Sequence, residues 1–164
     1  MEPPIGENER GAESPAQFKE QPVHVKKGQQ TNKMKELAPY LIVGMGGFIG
    51  ANARFLLSQW AVKKCGADFP YGTFVINVTG SFILGLFATL ALRFAWNDNW
   101  RLLIGVGFVG AYTTFSTFEY ETLQLVAQGT WSRAGVNIIG SVVLGFAAAY
   151  VGVVVARLLT RGHL

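Results

Sequence analysis

Gly105-Val-Gly-Phe-Val-Gly-Ala-Tyr-Thr-Thr-Phe-Ser-Thr-Phe-Glu-Tyr-Glu121 decides how the rest of the chain is read. It lies inside a long apolar run, yet glycines and hydroxyls stand where a plain membrane helix carries leucine. Gly105, Gly107 and Gly110 weaken a helix, and Thr113, Thr114, Ser116 and Thr117 set hydroxyls beside it. Irregular backbone at membrane depth is tolerated only where it is buried in protein or lines a wet cavity. Phe115 and Phe118 are spaced i, i+3, so both rings project from one helix face. The stretch reads as a broken transmembrane helix that builds an ion site. A small-residue packing seam between helices is the plainer reading, and the two are compatible.

Working outward, four apolar runs cover about 39–62, 71–95, 100–127 and 131–159. Each exceeds the roughly 20 residues that a helix needs to cross the hydrocarbon. Pro39 is well placed to open the first. The connections, 63–70, 96–99 and 128–130, are short, which makes consecutive helices antiparallel neighbours. Trp60, Trp96, Trp100 and Trp131 all fall at span ends, where an interfacial aromatic belt puts them. Residues 1–38 mix Glu, Gln, Lys, Pro and Gly with few apolar positions and read as a disordered polar tail. No apolar core of a cleavable signal peptide precedes Pro39. The division is therefore a tail, 1–38, and a four-helix transmembrane domain, 39–164.

Composition agrees with a membrane protein: 50% of the 164 residues are hydrophobic and 15% are charged. The single cysteine, Cys65, excludes an intrachain disulfide. His24 and His163, the only histidines, stand near the two ends, which disfavours a metal cluster. The net charge of +4 sits at helix ends and in the tail, without the interleaved aromatics of a nucleic-acid surface. There is no nucleophile–base pair and no phosphate-binding loop, so the chain does not read as an enzyme.

The chain also repeats itself. Gly47-Phe-Ile-Gly-Ala51 matches Gly107-Phe-Val-Gly-Ala111, and Asn77-Val-Thr-Gly-Ser-Phe-Ile-Leu-Gly85 matches Asn137-Ile-Ile-Gly-Ser-Val-Val-Leu-Gly145, both at an offset of 60 residues. A constant offset across two helices indicates a duplicated two-helix hairpin, with both copies facing the same way. Arg93, Arg101, Arg157 and Arg161 flank one side, and Lys63, Lys64, Arg133 and Arg54 the other, so the positive-inside bias of the core is nearly nil. Near-balance fits a protein that inserts both ways and pairs antiparallel. Lysines of the tail, acting alone, would fix a single orientation instead.

Thr73, Asn77 and Ser81 recur at i, i+4, i+8 as a polar stripe on the second helix, and Asn137 with Ser141 repeats it on the fourth. Such stripes are often interhelical glue worth about 0.6 kcal/mol per hydrogen bond. Two repeat-related stripes beside a break in the third helix raise the case for a permeation path. No carboxylate lies at mid-membrane. Glu119 and Glu121 follow the break and would face a vestibule, and Arg54, near its span's end, reads first as a structural clamp.

Gly46-Gly-Phe-Ile-Gly-Ala-Asn-Ala-Arg-Phe55, Gly72-Thr-Phe-Val-Ile-Asn-Val-Thr-Gly-Ser81 and Gly107-Phe-Val-Gly-Ala-Tyr-Thr-Thr-Phe-Ser-Thr-Phe118 together resemble the Fluc (CrcB) fluoride channels. The resemblance covers about 40–159 and leaves out the tail. It implies an all-α membrane protein that assembles as a dual-topology antiparallel homodimer with two fluoride pores and a central sodium ion. Phe115 and Phe118 would be the pore phenylalanines, Asn77 and Thr73 the polar lining, and Ser141 its continuation. The carbonyls of Gly110 and Thr113 would hold the sodium, and Glu121 matches a vestibule carboxylate. Glu119 departs from the small residue usual there, and the long tail departs from the compact pattern. The function implied is passive export of cytoplasmic fluoride across a bacterial inner membrane, which protects against fluoride toxicity. A small multidrug transporter, which needs an embedded carboxylate in its first span, and a non-transporting scaffold are the rivals.

Overall fold

The computed structural model describes residues 27–161. They form helices and turns only: α1 (Lys27–Cys65), α2 (Tyr71–Arg93), a short α3 (Asp98–Trp100), a π-helical stretch (Arg101–Val109), α4 (Gly110–Tyr112), α5 (Phe115–Ala127) and α6 (Trp131–Leu159). Among the described residues four helical stretches are long and apolar enough to span a bilayer: Met34–Cys65, Tyr71–Arg93, Asp98–Ala127 and Trp131–Leu159.

The first helix corrects the sequence reading. It starts at Lys27, so the boundary drawn after residue 38 falls inside it and Pro39 lies in its interior. A run of good helix formers, Met34-Lys-Glu-Leu37, continues the helix backward, and the missing N–H of Pro39 removes only one backbone bond. The rest of the tail, 1–26, and His163 lie outside the described residues. At the other helix ends the charges complement the helix dipole: Lys63 and Lys64 close α1, Arg93 closes α2 and Arg157 closes α6.

The two most extensive packings are α2 against α6 and α1 against the π-helical stretch. Each unites helices related by the offset of 60 residues. Glycine makes both possible by letting backbones touch. A Cβ at Gly50 would collide with the Phe108 carbonyl oxygen, and one at Gly152 with the Phe82 carbonyl oxygen. Few apolar side chains are truly buried, among them Ile76, Phe87, Val109 and Leu125. Phe48, Leu56, Ile139 and Phe146 face outward, as lipid-facing residues do. At the start of α6, Arg133 donates to the Asp68 carbonyl at 3.1 Å and ties the first loop to that helix.

Candidate functional site

Helical winding stops after Tyr112. Thr113 is extended (ψ 157°), Thr114 is extended as well (φ −151°, ψ 118°), and α5 starts at Phe115. The Thr113 N–H still closes on the Val109 carbonyl at 3.0 Å. The next N–H, that of Thr114, is diverted out of the helix to Asn77 Oδ1 at 2.9 Å, while Asn77 Nδ2 donates back to the Thr114 carbonyl at 3.0 Å. One asparagine side chain on α2 thus replaces a strand-like partner for an extended residue that would otherwise strand two polar groups in hydrocarbon. Thr114 then caps α5: its Oγ1 accepts from the Thr117 N–H at 3.3 Å. Gly80 of α2 leaves room for the Thr113 methyl, which a Cβ there would overlap.

Beside this interruption lies a cavity of about 290 Å³, lined among others by Asn77, Ser81, Thr114, Phe115, Phe118 and Ser141. Among the described residues no charged side chain lines it. The Phe115 and Phe118 rings are 5.8 Å apart and inclined by 38°, and Phe115 is 71% exposed. Most hydroxyls here already donate elsewhere: Ser81 to the Asn77 carbonyl at 2.8 Å and Thr113 to the Val109 carbonyl at 2.9 Å. Ser141 Oγ is buried without a hydrogen-bond partner, and Asn77 keeps one of its two N–H donors.

Four of the five residues named for the pore, Phe115, Phe118, Asn77 and Ser141, share this cavity. Thr73 does not. It lines a second cavity, of about 190 Å³, with Glu121, Ser58 and Gln124. There Thr73 and Glu121 share one chamber, and Glu121 Oε2 is buried with no hydrogen-bond partner among the described residues. The polar stripe of α2 therefore serves two chambers, Asn77 and Ser81 lining the first and Thr73 the second. Thr113 is the first residue of the extended turn, and Gly110 opens the short helix α4 before it. Glu119 is exposed on α5, and Arg54 is half-buried on α1. Among the described residues Arg54 makes no ion pair; those present are Arg101–Asp98 and Arg133–Asp68, both exposed.

A family model described as CrcB-like protein, Camphor Resistance (CrcB), matches residues 41–153. The chain belongs to the CrcB family. Relatives at similar distance carry the name Fluoride-specific ion channel FluC. That of Roseiflexus sp. (strain RS-1) is 45% identical over 120 residues, covering 73% of this chain and 97% of the relative. That of Acidobacterium capsulatum is 48% identical over 119 residues, covering 72% and 95%. That of Sulfurihydrogenibium sp. (strain YO3AOP1) is 45% identical over 121 residues, covering 73% and 98%.

Two features of this CrcB-family site had no part in the sequence reading. Tyr112 OH meets Thr79 Oγ1 at 2.9 Å, and its ring stacks on Phe108 at 5.6 Å. Asn137 Nδ2 donates to Thr122 Oγ1 at 2.8 Å, in the interior between α5 and α6. The Asn137 match to Asn77 was visible, but its partner was not, since partners across helices depend on rotation that periodicity does not fix.

Proposed function

We propose that this multi-pass membrane protein is a fluoride-selective channel, not an enzyme. It lets cytoplasmic fluoride leave down its gradient and so relieves fluoride toxicity. The observation that carries this reading is the uncharged cavity beside Thr113 and Thr114. Fluoride is small and strongly hydrated, so a pore must replace its water with donors. The cavity supplies the spare N–H of Asn77, the unpartnered hydroxyl of Ser141 and the positive edges of Phe115 and Phe118. The α5 helix opens onto it with its N-terminus, the positive end of its dipole. No lysine or arginine lines it, so the ion is not trapped, and conduction needs binding weak enough to release.

A second, inverted copy completes the pathway in this reading. Phe115 stands largely exposed in a single chain, and flanking charge is balanced across the membrane. The Gly110 and Thr113 carbonyls of both copies would meet on the two-fold axis and hold one sodium ion. The donor set fits. The Thr114 N–H that would close on the Gly110 carbonyl goes to Asn77, and the Thr117 N–H that would close on Thr113 goes to Thr114 Oγ1. Carbonyls released at an unwound turn are suitable ligands for sodium. The bound ion supplies fixed positive potential next to an anion path. Glu121 and Thr73 form the vestibule, and Arg54 clamps the structure at the interface. Purified protein in fluoride-loaded liposomes tests the proposal. Fluoride should leave rapidly on removal of its counter-ion restraint and chloride should not; equal efflux of both, or of neither, overturns it.

A further inference from the structure

Asn77 and Asn137 occupy equivalent places in the two repeats, and each is hydrogen-bonded to the segment that carries the phenylalanines. Asn77 grips the backbone of Thr114, the residue before Phe115. Asn137 acts one step removed. It donates to Thr122 Oγ1 at 2.8 Å, and Thr122 Oγ1 donates to the Phe118 carbonyl at 2.7 Å. The chain Asn137–Thr122–Phe118 runs from α6 into the backbone of α5 one turn before Thr122.

We propose that Asn137 is a positioning residue for the pore, setting the Phe118 ring through Thr122 as Asn77 sets Phe115. The inference rests on the fluoride-channel reading above. Three observations support it. Asn137 is 0% exposed, and its Oδ1 has no hydrogen-bond partner, so it is a costly residue to keep for packing alone. Its donation fixes the rotamer of a threonine that back-bonds to a helix carbonyl, a contact that bends and rotates a helix. The carbonyl so held belongs to Phe118, whose ring lies 5.8 Å from that of Phe115 in the cavity. Neither Asn137 nor Thr122 lines that cavity, so the effect is transmitted and not a contact with the ion.

Thr122→Val keeps the shape and removes the hydroxyl, Thr122→Ser keeps the hydroxyl, and Asn137→Leu removes the donor. Each is purified, checked for assembly by gel filtration and assayed for fluoride efflux per folded channel and for the fluoride-to-chloride ratio. Thr122→Val and Asn137→Leu should slow fluoride about tenfold and narrow the ratio, the effect of one lost hydrogen bond on a barrier. Thr122→Ser should stay within about twofold, and the double variant Thr122→Val/Asn137→Leu should be no worse than either single one, as members of one network behave. A purely structural role would lower the yield of folded protein and leave flux per channel equal in Val and Ser variants. That result, with active wild type, overturns the inference alone, whereas a wild type that passes no fluoride overturns the channel reading. Should Asn137→Leu not assemble, the comparison of Thr122→Val or Thr122→Ala with Thr122→Ser decides.

Discussion

Replacing Asn77 by aspartate changes one nitrogen into an oxygen at the place where the interruption and the cavity meet. The acceptor oxygen that holds the Thr114 N–H at 2.9 Å survives, but the donor to the Thr114 carbonyl at 3.0 Å is lost. Loss of one interhelical bond in a membrane costs about 0.6 kcal/mol on average, up to about 1.7. The extended turn keeps its other restraints, the Thr114 cap and the Thr113 bond to Val109, so the chain should still fold and assemble. The new charge matters far more to an anion. A carboxylate about 4 Å from fluoride, at an effective dielectric near 20, repels it by about 4 kcal/mol. That is about a thousandfold in rate. Liposome efflux recorded with a fluoride electrode should therefore fall to background while gel filtration stays at the wild-type position. Efflux within about threefold of wild type from well-folded protein would show that no fluoride passes Asn77, and the reasoning would fail.

Phe115→Ile and Phe118→Ile each remove a polarised ring edge of similar bulk, and each should reduce efflux about tenfold or more without loss of assembly, measured in the same liposomes. Gly50→Val places side-chain atoms against the Phe108 backbone and should destabilise the packing of α1 by roughly 1–3 kcal/mol or more, read as a lower melting temperature in detergent. Single cysteines placed at Gly66 or Ala67, in a Cys65→Ser background, should react with a membrane-impermeant reagent from both faces of the membrane. Modification from one face only would remove the inverted-pair proposal.

The four spans were legible because hydropathy and length report burial in lipid without knowledge of partners. The start of α1 was not: Pro39 resembles a first-turn proline, and only the helix-forming run before it argued otherwise. The stretch from Gly105 to Glu121 was read as irregular on account of its glycines and hydroxyls; Gly105 and Gly107 do lie in the π-helical stretch, and glycine there has a second job. Gly107 lets α1 approach, its missing Cβ lying 2.7 Å from the Val43 carbonyl, and the extended residues are Thr113 and Thr114. Spacing put Phe115 and Phe118 on one face and drew the stripes that carry Asn77 and Ser141, but only the family resemblance joined the four in one pore; they line one cavity. The separation of Thr73 from them was not legible, because a period of four residues places side chains on one face without saying what divides that face.

The central claim is selectivity for fluoride through an uncharged pore, and current through a planar bilayer tests it most directly. With purified protein, equal chloride on both sides and about a tenfold fluoride gradient, the account predicts reversal near the fluoride equilibrium potential, about 59 mV from zero. Reversal at zero with measurable current would mean that chloride carries it, and would contradict the account.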